Sequence, residues 1–195
     1  MEAAPTRREL ILDAAVRVFG RFGFKKTSVD DLAAAAGISK QGLYLHFSSK
    51  EEVFLAGLQR YLDDCLNRVE QELTKPDRSL LDRLANAIDA WFGRHLATFT
   101  PESFDVIEAS ILLAGDRLKE YESALQAKLT KAIADSAEFK KAKNVCTPAE
   151  VTEVLLRCAF TWKHGCLSRA EFMEEMKVCI RVCCQLEGKE RLKNS

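Results

Sequence analysis

Between Ile38 and Lys50 the chain groups Ser39, Lys40, Gln41, Gly42, Tyr44 and His46 around Ile38 and Leu43, two apolar residues suited to a small core. Short polar and basic side chains in such a cluster can reach nucleic-acid base edges and phosphates; lysine is suited to guanine and glutamine to adenine. The same stretch holds two lysines and no acid. Residues 1–50 carry eight Lys/Arg against five Asp/Glu, while the whole chain balances 29 against 29. A local basic footprint in a neutral protein is the pattern of a small DNA-contacting segment. Other chemistries lack their residues. A helical di-iron enzyme needs Glu-x-x-His pairs, and none occurs. There is no phosphate-binding loop, GxGxxG or nucleophile elbow, so no catalytic residue or cofactor is expected.

The seven cysteines are odd in number and form no CxxC. Thiols kept reduced are expected rather than a disulfide framework. Cys158, Cys179 and Cys183 fall on apolar helix faces, where cysteine acts as a small hydrophobe. Cys179 and Cys183 lie four apart without evident third and fourth ligands, and the three histidines are dispersed, so no metal is expected. Cys146, just before Thr147–Pro148, is the exposed thiol on which a redox-responsive alternative would rest.

The elements that must position these residues are helices. The chain has 195 residues, 47% apolar and 30% charged, with apolar residues recurring at three and four. No apolar run approaches the roughly 18 residues of a membrane span, and Met1 to Leu10 shows no apolar signal core, so a cytoplasmic protein without membrane partners is expected. Leu10, Ile11, Ala14, Ala15, Val18 and Phe19 form one stripe of a helix from Thr6 to Phe22, stopped at Gly23. Thr27 or Ser28 caps a second helix with Asp30 and Asp31 in its first turn, ending at Gly37. Ser39 caps a third, to His46 or Phe47; Ser49 with Glu52 opens a fourth, to about Leu73. Two short helices joined by Ala36-Gly37-Ile38-Ser39 make a helix-turn-helix candidate from Val29 to Phe47, whose second helix can enter a major groove. Phe19, Phe22, Phe24, Phe47 and Phe54 are read as core.

Further helices are predicted over 79–96, from Thr100–Pro101 to Ala114, from Gly115–Asp116 to Lys141, from Thr147–Pro148 to Gly165, and over 168–187, about nine in all, before a charged tail. The fold expected is all-α: residues 1–50 a three-helix helix-turn-helix domain, residues 51–195 a helical effector-binding and dimerisation domain. In the last two helices Val151, Val154, Leu155, Cys158 and Trp162, then Phe172, Met176, Cys179, Ile180 and Cys183, keep apolar spacing that suits a four-helix bundle between two subunits. Trp91, His95, Phe99, Phe104, Ile107, Glu108, Ile111 and Trp162 are the candidates for a small-molecule pocket, with Glu108 its polar anchor.

Residues 10–54, LILDAAVRVFGRFGFKKTSVDDLAAAAGISKQGLYLHFSSKEEVF, resemble the DNA-binding domain of the TetR family of bacterial transcriptional regulators. The likeness runs through an Ala-rich first helix ending in Phe-x-x-x-Gly, then Thr27-Ser28, then Ala35-Ala36-Gly37-Ile38-Ser39, then Tyr44-x-His46-Phe47 and Lys50-Glu51-x-Val53. Leu32 stands where the family usually has Ile, and Leu45 where a tyrosine is frequent. The resemblance implies phosphate contacts from Thr27, Ser28 and Lys50, backbone contacts from Tyr44 and His46, and base reading near Ser39, Lys40, Gln41 and Gly42. It also implies a repressor that binds a pseudo-palindromic double-stranded DNA operator as a homodimer and is released by a small effector.

Overall fold

The computed structural model describes residues 5–93, 105–142, 144–166 and 168–186. Among these residues every regular element is helical: α1 Arg7–Phe22, α2 Val29–Ala35, α3 Lys40–Tyr44, α4 Lys50–Leu73, α5 Leu80–Ile88, α6 Asp105–Asp135, α7 Ala137–Lys141, α8 Pro148–Gly165 and α9 Arg169–Cys184. The all-α expectation holds. The predicted helix start at Thr100–Pro101 and the charged tail lie outside the described residues.

The chain forms two compact units, one from residues 1–64 and 98–121, the other from 65–97 and 122–195. The unit that holds the helix-turn-helix therefore also draws on residues beyond 50. Its helices start on side-chain caps. Thr6 and Glu9 form a capping box at α1, Ser28 and Asp31 one at α2, and Ser39 caps α3. At α4 the box is split: Ser49 Oγ accepts the Glu52 N–H, while the Glu52 carboxylate accepts from the N–H and hydroxyl of Ser48. Gly37 has φ +67, a left-handed conformation that a side chain would strain, and it turns the chain between α2 and α3.

Ile11, Leu12, Ala15 and Phe19 of α1 pack in one core with Leu32 and Ala33 of α2, Leu43, Phe47, and Val53 and Phe54 of α4. Val106 and Ala109 of α6 complete it. Phe19, Phe24 and Phe54 meet at ring separations of 4.9 to 5.9 Å, two of the three pairs edge to face, a geometry that adds to burial. Phe22 departs from the core expectation. It is 47% exposed beside the Arg21 guanidinium, because the stripe of α1 has already turned away from it.

In the second unit Leu80, Leu84, Ile88, Leu125, Leu129, Ile133, Leu155, Phe172, Met176 and Ile180 are buried, and α9 packs on both α8 and α5. Two predicted helices are corrected. The break expected at Gly115–Asp116 is present as a kink at Ala114, whose φ −138 and ψ 21 are non-helical within Asp105–Asp135, but a second break falls at Ser136, which caps α7, inside the helix expected to reach Lys141. The helix expected over 79–96 changes form instead, with Asp89–Gly93 a π turn. This turn is held by Asp89, which accepts from Arg169 Nε at 2.8 Å and also from its terminal nitrogen.

The bundle stripe is also corrected. Val151, Leu155, Phe172, Met176 and Ile180 are buried within the protomer, so their side chains cannot face a second subunit. Periodic apolar spacing here serves the contact of α8 and α9 with each other and with α5. Cys158, Trp162, Cys179 and Cys183 are half-buried, and Val154 is exposed.

Candidate nucleic-acid interface and ligand cavity

The recognition segment is aimed by its buried residues. Leu43 and Phe47 are fully in the core, and they fix which way the rest of α3 points. Ser39, Lys40, Gln41, Tyr44, Leu45 and His46 are left exposed on one continuous surface. Tyr44 is 47% and Leu45 85% exposed. Leu45 was not among the sequence candidates; its signal was an apolar residue beside Tyr44 at a position too far round the helix to join Leu43. Gly42 has a local task. A Cβ there would stand 3.3 Å from Ser39 Oγ, which accepts the Gly42 N–H at 3.0 Å to cap the helix.

Lys40 Nζ lies 2.9 Å from Asp30 of α2. That hydrogen bond, with the charge of Asp30, raises the lysine pKa above its ordinary value and holds the side chain in one direction. A base contact by Lys40 therefore exchanges an exposed ion pair for a base, and exposed pairs yield readily.

The three residues expected at phosphates each have partners within the chain. Thr27 is 3% exposed and its hydroxyl donates to the Gly23 carbonyl at 2.6 Å, so its side chain closes the turn before α2. Ser28 is exposed, but its hydroxyl donates to Asp31 and accepts the Asp31 N–H, so both functions serve the cap. That pairing holds the Asp31 carboxyl below its usual range. Lys50 Nζ donates to the carbonyls of Phe24 and Thr27 at 3.0 and 3.1 Å and sits 4.3 Å from the centre of the Phe24 ring. It straps the 24–27 turn to α4. The same turn is gripped from the other side: the Asp105 carboxylate accepts the N–H of Phe24 at 2.9 Å and of Lys25 at 2.6 Å. Asp105 lay outside the sequence candidates, since a contact across 80 residues leaves no local signal.

Of the candidate pocket residues, Glu108 is exposed and paired with Lys25 Nζ at 2.8 Å, and Ile107 and Ile111 are exposed. All three belong to the helix-turn-helix unit and are not among the residues that line the cavity beside Trp91. His95, Phe99 and Phe104 lie outside the described residues. Trp91 does line a cavity, of about 720 Å³, within the second unit. Phe92, Leu125, Leu156 and Phe160 extend its apolar wall, and Glu122, Gln126, Glu153, Arg157, Thr161 and Lys163 supply polar groups. Trp162 is half-buried and not among the lining residues.

Cys179 and Cys183 lie 3.9 Å apart, and burial pushes both thiols above their ordinary values, which keeps them protonated. Among the described residues no cluster of three or more His, Cys, Asp or Glu is arranged to hold a metal ion.

Residues 11–56 match the family described as bacterial regulatory proteins, tetR family. The transcriptional activator FasR of Mycolicibacterium smegmatis is 44% identical over 87 residues, 44% of this chain and 39% of that protein. The transcriptional repressor KstR2 of the same organism is 31% identical over 114 residues, 58% of this chain and 51% of that protein. The chain thus spans less than two thirds of the length of either relative. A solved structure of a transcriptional regulator from Rhodococcus sp. Rha1 superposes with a TM-score of 0.71 at 16% identity, covering 92% of this chain and 97% of that one, so the fold is shared along nearly the whole length. Residues 11–56 are thus matched in sequence to the tetR family of bacterial regulatory proteins, and the helical fold is shared with a solved transcriptional regulator along nearly the whole chain.

Proposed function

We propose that the chain is a transcriptional repressor that binds double-stranded operator DNA as a homodimer and is released by a small effector. The observation that carries this is the exposed surface from Ser39 to His46, fixed on a short helix by Leu43 and Phe47 in a stretch without acids. Gln41 and Lys40 read base edges, Leu45 offers apolar contact to a thymine methyl, and Tyr44 and His46 contact the backbone. Lys50, Thr27 and Ser28 act indirectly, by shaping the turn that presents α2. Repression is favoured over activation because the repressor relative aligns over the longer share of the chain.

A dimer is supported by the outward faces of α8 and α9. Val154, Val178 and Val182 are exposed there, Val182 at 70%. Two such helix pairs form a four-helix bundle, and a twofold dimer places its recognition helices about 34–36 Å apart, one turn of DNA. The effector occupies the cavity beside Trp91, and it releases DNA by binding more tightly to a conformation with altered recognition-helix spacing.

Selection of bound sequences from randomised duplex DNA tests the reading. An inverted repeat with half-sites one helical turn apart is expected. Recovery of no sequence by protein shown by mass spectrometry to carry no ligand would overturn it.

A further inference from the structure

The cavity's charges are unevenly matched. Glu153 Oε1 accepts from Arg157 Nε and Nη2 at 3.1 and 2.7 Å, so these two satisfy each other at the exposed rim. Lys163 is different. Its Nζ stands 4.5 Å from the Phe160 ring centre and 5.5 Å from that of Phe92, and among the described residues no carboxylate forms an ion pair with it. Glu122, also on the wall, acts on it only through longer-range charge. Two aromatic faces solvate an ammonium less well than water or a carboxylate does. Burial accordingly pushes the Lys163 pKa below the ordinary lysine value, with Glu122 opposing.

The wall facing Lys163 is built at a cost. Trp91 and Phe92 sit on the π turn Asp89–Gly93, a form that recurs where a helix serves a site. The turn depends on the buried Asp89 carboxylate held by Arg169, and on Gly93 having no side chain, since a Cβ there would fall 2.0 Å from Asp89 Oδ1. The volume of about 720 Å³ is that of a small-molecule site.

We propose that this cavity binds an amphipathic monocarboxylate, its carboxylate paired with Lys163 Nζ and its apolar body against Trp91, Phe92 and Leu125. A ligand cation is disfavoured because Lys163 already occupies the aromatic faces. That this ligand is the effector rests on the regulator reading; the binding itself does not.

The test is calorimetric titration of the full chain, without DNA, with 2-naphthoate, the neutral isostere 2-naphthamide and the cation 2-naphthylmethylammonium. The naphthyl body suits aromatic walls. A charge-assisted hydrogen bond implies that naphthoate binds about tenfold or more tightly than naphthamide. Lys163→Met removes this preference and leaves naphthamide binding intact, which also shows that the cavity is still formed; Lys163→Arg keeps the preference. Equal binding of the acid and the amide, tighter binding of the cation, binding of none of the three, or a preference that survives in Lys163→Met overturns the proposal. If Lys163→Met does not fold, the three ligands on the unaltered chain and on Lys163→Arg decide it. Naphthoate bound through Lys163 that leaves operator affinity unchanged supports the site and counts against the effector role alone.

Discussion

The grip of Asp105 on the 24–25 turn gives a prediction whose size follows from the geometry. Its carboxylate accepts two backbone N–H groups, at 2.9 Å from Phe24 and 2.6 Å from Lys25, and only the first is partly buried. In Asp105→Ala the exposed Lys25 N–H regains water, while the Phe24 N–H is left poorly satisfied. A hydrogen bond to a charged acceptor contributes about 1.5–3 kcal/mol, and orphaning a partly buried donor falls near the lower end, so about 2 kcal/mol is expected. At a tenfold change per 1.4 kcal/mol, amide hydrogen exchange at Phe24 accelerates about 30-fold. Asp105→Asn separates the causes: it keeps an acceptor oxygen but loses the charge that favours the start of α6, and it should recover more than half of the protection. Glu108→Gln, which removes only an exposed pairing with Lys25, leaves Phe24 exchange unchanged. Exchange at Phe24 within twofold of the unaltered chain in Asp105→Ala would refute the assignment of this carboxylate as the clamp of the turn.

Four further outcomes are expected. Thr27→Val loses the buried bond to the Gly23 carbonyl and lowers stability by about 1–2 kcal/mol in urea unfolding, with the salt dependence of DNA binding unaltered, since no phosphate contact is lost. Gln41→Ala relaxes preference at one base position about tenfold or more, read by repeating the selection; unchanged preference would remove Gln41 as a reader. Val182→Asp places a charge on the exposed face of α9 and yields monomer by light scattering with helical content retained; a retained dimer would place the interface elsewhere. Stability falls with acid. The Glu9, Asp31, Glu52 and Glu150 carboxyls are all held below their ordinary values by hydrogen bonds from Thr6, Ser28, Ser48 and Thr147. A depressed carboxyl contributes in full above its unfolded value, about 4 to 4.5, and loses that contribution as pH falls through the folded value. Urea midpoints at pH 7, 5, 4 and 3 should therefore decline mainly below pH 5, and less steeply in Glu150→Gln.

What could be read from the sequence, and what could not, divides by the range of the interaction. The starts of α1, α2, α3 and α8 were legible because Thr6, Ser28, Ser39 and Thr147 cap within three residues of themselves, and the stop at Gly37 because a left-handed residue is a property of one position. The recognition surface was legible for the same reason: once Leu43 and Phe47 are core, a helix of five residues leaves few directions for Lys40, Gln41 and Tyr44. The failures were of longer range. The Asp105 carboxylate that grips the N–H groups of Phe24 and Lys25 lies 80 residues away and leaves no local signal. An apolar stripe on α8 and α9 states that something covers it, but not whether the cover is α5 or another subunit, and here Leu155, Phe172 and Ile180 are covered from within.

The π turn makes the same point for the cavity. The periodicity of residues 79–96 specifies a plain helix, because the partner that rewrites it, Arg169, lies 80 residues from Asp89. An isolated π turn is unfavourable, so its presence requires compensation from outside the segment. A charged pair that is largely buried on the aspartate side supplies that compensation only when both members are present, since removing one leaves the other desolvated and unpaired. Trp91 and Phe92 thus owe their place on the cavity wall to α9, a helix that contributes no lining residue itself. The position of an aromatic wall opposite Lys163 is accordingly a tertiary property, and local sequence around Trp91 could name the residue as a candidate without being able to say what it faces.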